Sequence, residues 1–280
     1  MVNGKKVIVV TPSGRQKCLQ ILANHILKAR KKGVVDEWHL WQNTTERSDI
    51  KYIKSLARQF DFISVKTVEP DHPMTRDWRQ WNLHLFYKHC QDPDAVYIRI
   101  DDDIVWMEDD AIEKLADYRT RRVKPFIIYP NILNNCLMSS VLVRMGVLPT
   151  KFGIPKYLTF NNITLENGLF AKALHEQVIE DIENGDMEKY KFKLWMLHDF
   201  EHHSITVSSF MDMKWRNGEL GPNDEIQLNV DIPKEIGVAN VVYGEPIFVH
   251  WQYHHQRMDL ENRGLDPDMF LKEYLKLSLK

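Results

Sequence analysis

Residues 6–11, Lys6-Val-Ile-Val-Val-Thr11, form an apolar, mostly β-branched run with no polar alternation. A strand with one wet face alternates polar and apolar residues, so this run predicts a strand covered on both faces, as in a parallel sheet between helices. The next hundred residues repeat the theme. Gln16–Arg30 carries Leu19, Leu22, Ala23, Ile26 and Leu27 at helical spacing, with Gly33 as a stop. Strands are then predicted at Val35–Trp41, Phe62–Val68 (closed by Pro70 and Pro73) and Ala95–Ile100, with helices at Ile50–Phe60 and Asp77–Cys90. Four β units with helical crossovers predict a doubly wound α/β fold: a Rossmann-related, mostly parallel sheet flanked by helices. Ligands of such sheets sit beyond the carboxyl ends of the strands.

The second half is less regular. A helix is predicted at Asp110–Tyr118, a strand at Pro125–Pro130, and a helix at Glu166–Asn184 with Gly185 behind it. Glu225–Ile236 reads as a short helix or turn interrupted by Pro233, Ile247–Val249 as a late strand, and Pro267–Leu277 as a final helix capped by Asp266. No repeat, low-complexity tract or linker divides the chain, so residues 1–280 are expected to form a single domain.

Composition narrows the function classes. Lys plus Arg is 37 and Asp plus Glu is 39, a formal charge of −2, which disfavours nucleic acid as the main partner. Glycine is scarce, 12 of 280, so a glycine-rich phosphate cradle is not expected. Cys18, Cys90 and Cys136 lack CxxC spacing and read as reduced thiols. The N-terminus lacks the apolar core of a signal peptide, and no run approaches the ~20 apolar residues of a membrane span. A cytoplasmic, soluble protein without a membrane span is the expectation.

The most informative chemistry lies at Tyr97-Ile-Arg-Ile-Asp101-Asp102-Asp103-Ile-Val-Trp106, where an apolar strand ends in three carboxylates. Adjacent like charges repel, so their burial calls for a compensating cation. Mg²⁺ or Mn²⁺ takes oxygen ligands and leaves positions for substrate phosphates. An EF-hand is excluded, because the sixth and twelfth positions from Asp101 are Trp106 and Ile112. Along an extended segment Asp101 and Asp103 would project to one side and Asp102 to the other. A solvated acidic loop is the alternative; apolar residues on both flanks favour the metal.

A strand followed by Asp-x-Asp in the middle of an α/β chain resembles the metal-dependent glycosyltransferases of the GT-A fold. The resemblance covers most of the chain but rests on a few short motifs. It implies a nucleotide-sugar-binding half at about residues 1–130 and an acceptor-binding half at about 131–280. It implies Mn²⁺ or Mg²⁺ on Asp103, with Asp101 on the ribose or sharing the metal, Asp102 among the nucleotide-sugar contacts, and a nucleotide-diphosphate sugar as donor, by default a UDP-sugar such as UDP-xylose. The family's later acidic pair is matched by Asp224-Glu225, in reversed order, as candidate base for the acceptor hydroxyl, with Asp199 in His198-Asp-Phe-Glu201 as a rival. Its C-terminal metal-binding histidine is matched by His250, with His254 and His255 as alternatives; His202 and His203 read as structural or acceptor-facing. A zinc site is disfavoured, since neither HExxH nor a Cys/His spacing is present.

The same resemblance places the nucleotide at Thr11-Pro-Ser13-Gly-Arg15, with Arg15 toward the diphosphate. Gln42, Asn43 and Thr67 share that sheet edge and could read a base. Arg76, Arg79 and Asn82 offer a phosphate contact, whereas Trp78 and Trp81 read as core. Asn134 and Asn135 suit either sugar hydroxyls or a simple turn, and Trp215 an acceptor sugar. The compact chain is more similar to bacterial capsule or large-DNA-virus glycosyltransferases than to Golgi ones. The expected activity is therefore metal-dependent sugar transfer to a glycan hydroxyl. A sugar-phosphate nucleotidyltransferase and a non-catalytic carbohydrate- or cation-binding domain are the alternatives.

Overall fold

The apolar runs assemble into one mixed sheet. The structure, a computed structural model, describes residues 1–71, 79–156, 161–193, 195–197, 206–211 and 220–280. Among these the strands are β1 (Lys6–Ser13), β2 (Glu37–Gln42), β3 (Ile63–Lys66), β4 (Ala95–Ile100), β5 (Ile104–Met107), β6 (Ile128–Leu133), β7 (Trp195–Leu197), β8 (Val207–Phe210) and β9 (Asn240–His250). Their order is β3-β2-β1-β4-β8-β6-β9-β5, with β7 also on β9. Strands β1, β2, β3, β4, β6 and β9 run one way, while β5, β7 and β8 run against them. The α/β class and the mostly parallel sheet are therefore as expected. The order 3-2-1-4 places a topological switch point between β1 and β4, where open α/β sheets form their ligand crevice.

Strand β1 shows why its sequence lacks alternation. Val7 and Val9 enter a core shared with the helices α1 (Gln16–Lys31), α2 (Arg47–Gln59) and α3 (Ala111–Arg121). Ile8 and Val10 enter a separate core on the other face, with Phe86, Tyr87 and Leu137. The remaining α-helical segments are α4 (Cys136–Arg144), α5 (Asn162–Leu165), α6 (Gly168–Asn184), α7 (Asp224–Ile226), α8 (Ile232–Ile236), α9 (His254–Asn262) and α10 (Leu271–Leu279). Among the described residues no helix is long and apolar enough to cross a membrane.

Several elements differ from the sequence expectation for identifiable reasons. The helix expected at Asp77–Cys90 is described from Arg79, as a 3₁₀ helix to His89. Its three-residue turn brings Phe86 and His89 to the same partner, with ring centroids 6.2 and 4.9 Å from that of Trp41. The strand expected at Pro125–Pro130 starts at Ile128, because the buried Arg119 guanidinium takes the carbonyls of Val123, Pro125 and Phe126. The run expected to break at Pro233 continues from Asp224 to Ile236 through a π-helical segment, Gln227–Asp231. Pro233 sits at the start of α8, where a missing N–H is tolerated. The last helix begins at Leu271, and Asp266 accepts from the Asp268 N–H in a turn that precedes it. Strand β9 is far longer than the apolar triplet suggested, and its register on β6 shifts between Tyr243 and Ile247.

Two close packings position the end of β9. Asn167 caps α6, and a Cβ added at Gly168 would lie 2.6 Å from Leu260 Cγ and 2.7 Å from the Gln256 carbonyl oxygen on α9. Gly168→Ala is expected to cost about 1–3 kcal/mol, the usual range for overpacking, read as a lower urea midpoint. Below α9, buried His175 donates from Nε2 to the Trp251 carbonyl at 2.6 Å and accepts at Nδ1 from Tyr274 Oη at 2.8 Å. Burial pushes its pKa down to about 3. The unfolded imidazole titrates near ~6.5, so between those values only the unfolded state binds the proton. This contribution to stability is complete above pH ~6.5 and falls as pH drops toward 3. The thermal midpoint should fall between pH 7 and 5, and fall less steeply in His175→Gln.

Candidate active site

The carboxyl ends of β1 and β4 meet through the acidic triplet. After β4 the chain turns at once, with the Ile104 N–H on the Asp101 carbonyl, so Asp101–Asp103 is a turn rather than an extended segment. The expected alternation is thereby lost: Asp102 and Asp103 reach a common partner, Arg15, and Asp101 faces Arg99.

Asp102 is 1% exposed and serves the β1–α1 turn. Its Oδ2 accepts from the backbone N–H groups of Gly14 at 2.6 Å and Arg15 at 2.8 Å, and its Oδ1 accepts from Arg15 Nε at 2.7 Å. Asp49 accepts from the next N–H, that of Gln16. Successive N–H groups at a helix start bind anions, and dinucleotide folds use this place for pyrophosphate. Here two of the protein's own carboxylates occupy it. Asp102, expected among the nucleotide-sugar contacts, holds the turn and Arg15.

Asp103 is the pivot. Its Oδ2 accepts from Arg15 Nη1 at 2.7 Å and lies 3.2 Å from His250 Nε2; its Oδ1 is buried with no hydrogen-bond partner among the described residues. Burial by itself would raise this carboxyl's pKa, but the Arg15 guanidinium and His250 outweigh it and hold the group below the ordinary carboxylate range. The ladder between β5 and β9 pairs Ile104 with His250, which fixes the imidazole beside Asp103. His254 and His255 lie exposed at the start of α9, so of the three C-terminal candidates the structure brings His250 to the triplet.

Asp101 pairs with Arg99 through both oxygens, at 2.7 and 3.2 Å. The same guanidinium reaches Asp224 Oδ2 at 3.2 Å and Tyr87 Oη at 3.1 Å. Burial pushes the Asp101 carboxyl up to about 6 against the opposing pull of Arg99, and raises that of Asp224 in the same way. Asp224, distant in sequence, therefore belongs to the triplet's buried charge network, while Glu225 is half-buried beside it. Asn223 caps this turn, accepting from Ile226 N–H.

Beyond β1 and β2 lies a small open cleft lined by Pro12, Trp41, Gln42, Asn43, Pro70 and Phe86 among others. Trp41 is 4% exposed and its indole N–H has no partner among the described residues. The expected Asn43 lines this cleft, whereas Thr67 is exposed just beyond β3. Thr11 and Ser13 are buried and internally bonded: Thr11 Oγ1 accepts from Trp38 Nε1, and Ser13 donates to the Thr11 carbonyl. Arg76, Trp78, His198, Asp199, Glu201, His202, His203 and Trp215 lie outside the described residues.

Sequence reasoning missed Arg99 and Trp41. Arg99 had a usable signal, a lone cation inside an otherwise apolar strand two residues before a carboxylate. Trp41 had none beyond its place at a strand end.

Could these residues hold a divalent cation? Among the described residues no group of three or more His, Cys, Asp or Glu is gathered for one. The pair Asp103–His250 with a free buried carboxylate oxygen nevertheless fits a hard cation that fills its other positions with water and phosphate oxygens.

No family model and no curated relative matches the chain. Among solved structures it is similar to one titled "Crystal Structure of a Mycobacterial Protein", at 11% identity and TM-score 0.34. The match covers 66% of this chain and 64% of that one, so the chain spans less than two thirds of that protein's length.

The Asp102 geometry makes a direct prediction. Asp102→Ala strips the acceptor from two backbone donors at a helix start and should cost about 1–2 kcal/mol, as loss of a helix cap does, by chemical denaturation. Asp102→Asn, which keeps one acceptor, should cost less.

Proposed function

We propose that this protein transfers a sugar from a nucleotide-diphosphate sugar, by default a UDP-sugar, to a glycan hydroxyl, with a divalent cation as cofactor. The observation that carries the reading is Asp103: a carboxylate at a strand end of the switch point, sharing one oxygen between Arg15 and His250 and leaving the other free and buried. The aromatic cleft beyond β1 and β2, with the Gln42 and Asn43 amides, suits a base placed along the ends of those strands.

Asp103 and His250 would hold the cation. When bound, it would supply positive charge to the departing diphosphate. Arg15, half-exposed beside Asp103, brings a permanent positive charge to the same place and suits the diphosphate oxygens. The acceptor oxygen attacks the anomeric carbon, the bond from that carbon to the diphosphate breaks, and the hydroxyl proton passes to a carboxylate if the enzyme inverts. Asp224 and Glu225 are the carboxylates in that role. A carboxyl raised by burial, as Asp224 is, is a better proton acceptor than an exposed one. Arg99 holds Asp224 next to Asp101, coupling the acceptor side to the triplet.

Thermal shift with a panel of nucleotide sugars, with and without Mn²⁺, tests this. Stabilisation by a UDP-sugar only when Mn²⁺ is present, lost in Asp103→Ala with the fold intact, is the expected result. A response only to nucleoside triphosphate with sugar phosphate would replace transfer by nucleotidylation, and no response to either would leave a binding domain. In turnover assays, one of Asp224→Asn and Glu225→Gln should lose transfer while still binding donor.

A further inference from the structure

Helix α2 carries its charge differently from other helices of this chain. Arg47, Lys51, Lys54 and Arg58 follow one another at intervals of four, three and four residues, so they form a single row along one face. All four are exposed, and among the described residues none of their side chains makes an ion pair or a hydrogen bond. Elsewhere opposite charges sit four residues apart: Arg121 with Asp117 on α3, Lys172 with Glu176 on α6, Arg257 with Glu261 on α9. The one carboxylate within α2, Asp49, is engaged by the Gln16 N–H at 3.0 Å and by Thr44 Oγ1 at 3.3 Å.

This row works against the helix that carries it. Like charges three or four residues apart destabilise a helix, and a cation at the first helical position, as Arg47 is, opposes the helix dipole. Proteins break such local rules chiefly at functional sites, and the partner missing here is an anion. At 1.5 Å per residue the row is about 16 Å long. One end adjoins the candidate active site, because the bond from the Gln16 N–H to Asp49 joins the first turn of α2 to the start of α1, one residue from Arg15.

The rest of the face selects among anions. No large apolar side chain of α2 is exposed, and Ile53 and Leu56 lie in the core. A membrane-bound amphipathic helix inserts an apolar face, and a protein interface centres on aromatic or aliphatic anchors; α2 presents neither. A nucleic-acid surface accompanies a basic excess, whereas this chain has a formal charge of −2. A single row of cations matches a single linear polymer that carries negative charge and no apolar groups. We propose that the outer face of α2 is a docking surface for a linear acidic polysaccharide, leading it toward the carboxyl ends of β1 and β2. That this polysaccharide is the acceptor rests on the reading under Proposed function; the docking does not.

The test titrates the full chain with oligogalacturonates of increasing length at several salt concentrations. It compares wild type, Lys51→Gln with Lys54→Gln, and a control that loses the same charge from exposed positions on α10, Lys272→Gln with Lys276→Gln. Glutamine forms helix about as well as lysine, so each variant keeps its helix. Wild type should bind, more tightly as the oligomer lengthens toward the span of the row. The fall of log affinity with log salt should be about half as steep in the α2 variant, two of the four charges being gone, and unchanged in the control. Wild type that does not bind, equal weakening in both variants, or tighter binding of an oligonucleotide, polyglutamate or phosphatidylserine vesicles overturns the proposal. The thermal shift given by a UDP-sugar with Mn²⁺ should be the same in the α2 variant as in wild type; its loss there would make the row part of the donor site and overturn the docking role. In turnover with an acidic acceptor, the α2 variant should raise the acceptor KM at unchanged kcat, and an unchanged KM refutes the acceptor role. Wild type that binds oligogalacturonate through the row yet shows no UDP-sugar shift refutes the transfer reading and supports the docking surface.

Discussion

The bond between Asp102 and the β1–α1 turn is the contact on which the rest of this site depends. Two backbone N–H groups and one guanidinium converge on a single buried carboxylate, tying the end of β1 to the end of β4. An unpartnered carboxylate in this position would carry a large desolvation cost, and unpartnered N–H groups a smaller one. Each offsets the other, and the geometry that results leaves Arg15 reaching over Asp103. The place where many α/β folds receive a phosphate is thereby closed by the protein itself, so a phosphate ligand has to be met further out, by Arg15 and by whatever Asp103 and His250 hold.

A second buried network extends the first. Arg99 lies within β4, and its guanidinium is neutralised by Asp101 and Asp224 and steadied by the Tyr87 hydroxyl. Buried ion pairs of this kind contribute little net stability, because desolvation consumes most of the attraction. Their value is geometric: removing either partner leaves a stranded charge, so Asp101 and Asp224 keep one relative arrangement. Asp103 itself is held by Arg15, by His250 and, at its backbone carbonyl, by the Trp251 N–H.

Much of the site was legible in the sequence because its residues sit at ends of regular elements. The β-branched run at residues 6–11 and the helix after it located Arg15; the apolar run 95–100 located the triplet; the apolar run 247–249 located His250. The internal arrangement of the triplet was not legible. Alternation is a property of extended backbone, and the chain turns at Asp101, so the pairing of Asp102 with Asp103 on Arg15 came from the turn. Asn134 and Asn135 were recognisable as a turn or a sugar contact, and the choice between them required β9 and α9 to be in place. The 3₁₀ helix over Arg79–His89 was likewise hidden, since its reason is a contact with Trp41 about forty residues upstream.

By itself, then, the sequence determined the alternation of strands and helices, the side of the sheet on which the carboxylates gather, and the identity of Arg15, Asp103, Asp224 and His250 as residues to watch. The alternation and the triplet follow from local periodicity and from the rarity of adjacent carboxylates at an apolar strand end; Arg15, Asp224 and His250 were singled out by the resemblance of short motifs to a known family. The tertiary structure decided which carboxylate serves which partner. Asp102 closes the helix start, Asp101 joins Asp224 through Arg99, and Asp103 alone keeps a free oxygen beside His250. That division depends on which cation each oxygen meets across the fold, and the three adjacent aspartates are chemically identical until the chain around them is packed.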